Sequence, residues 1–80
     1  IEEQIEQVFD NLTAICVEAG AKLDDTIKFN VYLTDLAHFP KVNTAMEQRL
    51  AAPYPARAVV EVSALPKGVQ VEVDAIVDLS

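Results

Sequence analysis

The sequence predicts one α+β domain, with two helices packed on one face of a mixed β-sheet, in the order α-β-α-β-β. Three observations carry this expectation. Apolar residues recur at steps of three and four over residues 1–19 and again over 39–51. Apolar and polar residues alternate over residues 26–34, 56–63 and 69–77, the period of a half-buried strand. Turn-forming residues separate these segments, and no linker, repeat or low-complexity stretch interrupts them.

The first stripe is Ile1, Ile5, Val8, Phe9, Leu12, Ile15 and Cys16. Glu2 and Glu3 lie near the start of this helix, where the helix dipole favours negative charge, and Gly20 is placed to end it in a left-handed conformation. After an Asp24-Asp25 turn, Ile27, Phe29, Val31 and Leu33 share one strand face, with Lys28, Asn30, Tyr32 and Thr34 on the other. Thr34-Asp35 offers capping side chains, and Pro40 suits a first helical turn. Phe39, Val42, Met46 and Leu50 then form the second helical stripe, which Pro53 and Pro55 terminate.

In the next strand Ala58, Val60 and Val62 share one face and Arg57, Val59 and Glu61 the other. Leu65-Pro66-Lys67-Gly68 reads as a turn. In the last strand Val71, Val73, Ala75 and Val77 point inward, and Gln70, Glu72 and Asp74 outward. The two final strands are read as a terminal pair, with Glu61 and Glu72 as cross-strand neighbours.

Composition narrows the function. A chain of 80 residues makes one small domain, which buries a modest share of its surface. Its 51% hydrophobic content and mean hydropathy of +0.20 exceed what one small core absorbs, and this points to an interface between subunits. Thirteen acidic against 6 basic residues give a net charge of −7, which argues against nucleic acid and anionic membranes as partners. One cysteine allows no intrachain disulfide, and no apolar run has the length of a membrane span, so a cytoplasmic location is expected. The chain opens at Ile1 with a helix already under way, and its only methionine is Met46, so an N-terminal segment is expected to precede it.

Few residues offer chemistry. His38 stands alone and Cys16 lies on a core stripe, so no metal-ligand set forms. Two glycines exclude a glycine-rich phosphate loop. There remains Pro53-Tyr54-Pro55-Ala56-Arg57, where a stiff backbone leads into an arginine at the start of a strand. Its planar guanidinium suits a two-pronged grip on a carboxylate. The simpler account is an ion pair with Glu61, Glu72 or Asp74, and spacing alone favours it. Glu72 is either a solvated strand residue or a functional carboxylate. Asn43 is either a surface residue of the second helix or a hydrogen-bonding group in a cleft.

Pro55-Ala56-Arg57-Ala58-Val59-Val60-Glu61-Val62, followed by Leu65-Pro66 and Val71-Glu72-Val73, closely resembles the C-terminal signature of the YjgF/Rid family. These are the reactive intermediate (enamine/imine) deaminases, also called the L-PSP family. Asn11-Leu12, Ala19-Gly20-Ala21, Val31-Tyr32-Leu33-Thr34-Asp35-Leu36, Phe39 and Val42-Asn43 extend the resemblance over nearly the whole chain. It implies a chorismate-mutase-like fold, a homotrimer with sites between subunits, and hydrolysis of 2-imino acids such as 2-iminobutanoate and 2-iminopropanoate to 2-oxo acids and ammonia. It also implies roles: Arg57 holds the substrate carboxylate, Glu72 positions the attacking water, and Asn43 lines the cleft. Val59 stands where many members carry cysteine, a position used largely through its backbone. The family's N-terminal strands, with the tyrosine and serine they bring to the site, have no counterpart in these residues. The implied chemistry requires no cofactor. The alternative is a non-catalytic trimer that binds small carboxylates as a metabolic sensor or chaperone. An RNA-cleaving activity has also been attached to the family, and the charge argues against it.

Overall fold

The computed structural model describes residues 1–79. Helix α1 spans Glu2–Glu18, strand β1 Thr26–Leu33, helix α2 Phe39–Arg49, strand β2 Ala56–Glu61 and strand β3 Val71–Val77. Short 3₁₀ turns at Leu23–Asp25, Leu36–His38 and Pro66–Gly68 join them. The two helices lie on one face of a mixed three-stranded sheet of order β2-β1-β3, with β1 parallel to β2 and antiparallel to β3.

This order corrects the expectation of a terminal strand pair. The link after β2 carries the chain past the end of β1, so β3 pairs with the far side of β1. β1 is the strand that merits the centre, because Phe29, Val31 and Leu33 are all fully buried. Glu61 and Glu72 are therefore not neighbours. Glu61 lies level with Leu33 on the helix-covered side, and Glu72 lies level with Tyr32 on the other.

Two further expectations shift. A bulge between Thr26 and Lys28 changes the phase of β1, so Ile27 is exposed and Thr26 is buried in its place. The Thr26 hydroxyl has no hydrogen-bond partner among the described residues. On α1, Ile5, Phe9 and Cys16 are buried as expected, whereas Ile15 is 65% exposed. It borders an open groove between α1 and the Val71–Val73 stretch of β3.

The helix ends follow the sequence. Gly20 has φ +81°. Its amide donates to the Val17 carbonyl at 3.0 Å, and the Ala21 amide donates to Cys16 at 2.8 Å. These are the paired bonds of a Schellman stop, and Ala21 and Cys16 are both buried beneath it. The Asp35 carboxylate caps the turn before α2 by accepting from the Ala37 amide at 2.9 Å. Arg49 clamps α2 to α1 through Glu6 and Asp10, at 2.5 and 2.8 Å, with its guanidinium 5.9 Å from the Phe9 ring centroid. The core joins the inner faces of both helices to β1 and β3, with Phe9 edge-on to Phe29.

Among the described residues, no helix is long and apolar enough to cross a membrane, and no cluster of His, Cys, Asp or Glu could hold a metal ion. Helix α2 and edge strand β2 together place Asn43 and Arg57.

Candidate functional site

Arg57 is level with Phe29 in the β1–β2 register, so its side chain leaves the sheet on the helix-covered face. There it meets the first two turns of α2. The guanidinium carbon lies 4.9 Å from the centroid of the Phe39 ring, within cation–π range. The Nη1 group donates to Oδ1 of Asn43, and Nδ2 of Asn43 donates to Oε1 of Glu47 at 2.9 Å. Phe39, Asn43 and Glu47 are spaced by four along α2, which places them on one helix face.

The ion pair favoured by spacing alone does not form. Glu61 accepts from the Leu36 amide at 3.0 Å, and Asp74 accepts from Asn30 at 2.7 Å and Tyr32 at 3.3 Å. None of Glu61, Glu72 and Asp74 forms a salt bridge with Arg57. The asparagine contact occupies one of five guanidinium N–H donors, and the rest remain available to an anion.

These residues border a cleft of about 330 Å³ lined by Asn43, Met46, Glu47, Tyr54, Pro55 and Arg57. The prolines bring Tyr54 beside the arginine, with Met46 as an apolar wall. Another groove, of about 260 Å³, lies between the two helices, but its basic residue, Lys41, is already paired with Glu2. That pairing holds the Glu2 carboxyl below the usual carboxylate range.

Val59 is half-buried against the core and lies level with Val31. Its backbone has a distinct disposition. The Val62 amide donates to the Leu33 carbonyl at 2.8 Å, so alternate residues back along β2 also turn their polar groups toward β1. The N–H and C=O groups of Arg57, Val59 and Glu61 consequently face the open edge of the sheet, beside the Arg57 side chain.

Glu72 is not part of this cleft. It shares the uncovered face of the sheet with Tyr32 and Asp74. The negative charge of Asp74, then desolvation and the Tyr32–Asp74 hydrogen bond, with Glu72 adding its charge, push the Tyr32 hydroxyl above its ordinary range. β1 lies between β2 and β3, which puts those two strands about 10 Å apart. Arg57 and Glu72 are level with Phe29 and Tyr32 respectively, three residues apart along β1, or about another 10 Å. They also point to opposite faces, so within one chain they cannot touch the same small molecule.

Of the residues singled out in the sequence, the structure brings Arg57 and Asn43 together, by a contact that their spacing does not announce. Phe39 reads from spacing as a core residue, yet it is half-buried beneath the guanidinium. Glu47 carries one legible signal, its position four residues after Asn43 on a helix.

The description Endoribonuclease L-PSP belongs to the family model that matches residues 1–79. The RutC family protein y4sK of Sinorhizobium fredii is 47% identical over 78 residues, which is 98% of this chain and 62% of that protein. The 2-iminobutanoate/2-iminopropanoate deaminase of Escherichia coli K12 is 42% identical over 76 residues, covering 91% of this chain and 59% of the relative. Among solved structures, RidA from the Antarctic bacterium Psychrobacter sp. PAMC 21119 superposes with a TM-score of 0.93 at 52% identity, over 96% of this chain and 63% of that one. The chain thus spans about three fifths of the length of these relatives. With its helices on a three-stranded mixed sheet and a family match along 79 residues, the chain belongs to the L-PSP (YjgF/Rid) family.

Proposed function

We propose that this chain is the greater part of a homotrimeric hydrolase that converts small 2-imino acids, such as 2-iminobutanoate and 2-iminopropanoate, into 2-oxo acids and ammonia. The observation that carries the reading is Arg57: an arginine without a carboxylate among Glu61, Glu72 and Asp74, backed by an aromatic ring, steered by an amide and open to a cleft. That is the arrangement expected of a carboxylate receptor. The names of the deaminases from Escherichia coli and Dermatophagoides farinae support the choice of substrate.

The chemistry asks little beyond placement. Arg57 holds the carboxylate, and the Val59 amide on the open edge is available to the same group. Water adds to C2 of the protonated imine. Glu72 takes a proton from that water and returns it to nitrogen. The C–N bond then breaks and the C=O bond forms as the hydroxyl proton passes to Glu72, which hands it to the departing ammonia, so that nitrogen leaves as ammonium. Because Glu72 lies on the opposite face from Arg57, the two act together only when Glu72 comes from a second copy. RNA cleavage is the weaker reading, since a net charge of −7 repels a polyanion.

The test is turnover of imino acid generated in the assay by an amino-acid oxidase, with the 2-oxo acid followed as it forms. Arg57→Lys and Glu72→Gln should each be slow, and mixing them through dissociation and reassembly should restore part of the activity. Binding of 2-oxobutanoate with no turnover by the wild type would favour a carboxylate-binding protein. No recovery in the mixed trimer would overturn the shared site.

A further inference from the structure

Glu47 lines the cleft yet has no place in the chemistry above. A carboxylate beside an anion-binding arginine should weaken the site, because it repels the ligand and neutralises part of the arginine's charge. The hydrogen bonds give it a different role. A primary amide presents an oxygen on one side and an NH2 group on the other, and nothing in the amide's own shape decides which faces Arg57. An amide whose NH2 group faced a guanidinium would set donor against donor. Glu47 accepts from Nδ2 of Asn43 at 2.9 Å, while Oδ1 of the same amide receives Arg57. An ionised carboxylate only accepts, so it selects the orientation in which the oxygen points to the arginine.

We infer that Glu47 is a positioning residue: by holding the Asn43 amide it aims the Arg57 guanidinium, and so sets how firmly the cleft grips a carboxylate. The inference rests on the carboxylate-receptor reading above, and its tests separate the two. An ordinary helix-surface pair between residues 43 and 47 would contribute a little to helix stability and nothing to ligand affinity.

The experiment titrates 2-oxobutanoate calorimetrically into the wild type, Glu47→Gln, Glu47→Ala, Asn43→Ala and the double alanine variant. Glu47→Ala should weaken binding about threefold to tenfold, the range for losing one ordinary hydrogen bond's orienting effect, although it removes a repelling charge. Glu47→Gln keeps an acceptor and loses the charge, so its affinity should match or exceed that of the wild type. The double variant should bind no worse than Asn43→Ala alone, because Glu47 acts through Asn43. Tighter binding by Glu47→Ala, or losses that multiply in the double variant, would overturn the inference. A second readout needs no ligand. The side-chain amide NMR signals of Asn43 should move in Glu47→Ala and largely return in Glu47→Gln. If they stay unmoved in the alanine variant, the positioning role is refuted even where the wild type binds no 2-oxo acid, a result that would by itself sink the function proposed above.

Discussion

Replacing Arg57 by lysine keeps the charge and removes the shape. The guanidinium lies over Phe39 at 4.9 Å and meets Asn43 edge-on, so its plane is fixed by two neighbours before any ligand arrives. A lysine ammonium is a point charge on a flexible stem and cannot present two parallel N–H groups to a carboxylate. Losing one charge-assisted hydrogen bond removes roughly 1.5–3 kcal/mol. Binding of 2-oxobutanoate should therefore weaken about tenfold or more. The effect on stability should be far smaller. Arg57 is exposed on an edge strand, and a stack of this kind contributes about 0.5–1 kcal/mol at an exposed site. In a domain of this size that bounds the fall in melting temperature at about 8 °C. Calorimetric titration with 2-oxobutanoate and a thermal melt read the two quantities. If Arg57→Lys binds as the wild type does, or if it unfolds the protein, the arginine serves the fold and not a ligand.

Glu72→Gln preserves volume and removes the proton acceptor, so turnover should fall at least about a hundredfold while affinity for 2-oxobutanoate changes less than twofold (~0.4 kcal/mol); equal losses in both would place Glu72 in binding. Thr26→Val removes a buried hydroxyl without a partner and should stabilise the domain by about 1 kcal/mol, a rise of roughly 5 °C in a thermal melt. Tyr32 should ionise above the ordinary tyrosine range in an ultraviolet titration on a Tyr54→Phe background, and Asp74→Asn should bring it back down. The sign for stability follows: the unfolded chain releases this proton at the lower pH, so the contribution is complete below about pH 10 and is lost as pH rises through the folded value.

Much of the fold was legible because each element announces itself locally. The α1 stripe, the glycine stop and the Pro40 start depend on residues a few positions apart, and all three form as expected except that Ile15 of the stripe is exposed. Strand order has no such local mark. Alternation in β2 and β3 is equally compatible with a hairpin, and only the full burial of Phe29, Val31 and Leu33 gives β1 the centre. The bulge at the start of β1 is hidden for a similar reason, since Thr26-Ile27 fits either phase by size. At the site, the residue types were legible and their partners were not. Spacing alone favours ion pairs between Arg57 and three nearby acids, and those to Glu72 and Asp74 require β2 and β3 to be adjacent. With β1 between them, Glu72 and Asp74 move beyond reach, and α2 supplies the groups that Arg57 meets.

The same strand order explains why a small apolar-rich chain would work as an assembly. The helix layer covers one face of the sheet and leaves the other open. On that open face Val60 and Ile76 are 46% and 53% exposed, beside Tyr32, Asn30 and Asp74, which are already bonded to one another. Apart from the charged Glu72 and Lys28, the polar groups of this face satisfy one another, so removing water from its apolar part costs little. Arg57 belongs to the covered side and Glu72 to the open side. Under the function proposed above, a monomer carries two half-sites facing away from each other, and closing the open face against further copies would both bury the apolar residues and bring one chain's carboxylate toward another's arginine. On this argument assembly and activity are a single event. Dilution that dissociates the oligomer should abolish turnover in step with the loss of mass seen by light scattering, and activity that survives in a monomer would show that the carboxylate lies elsewhere.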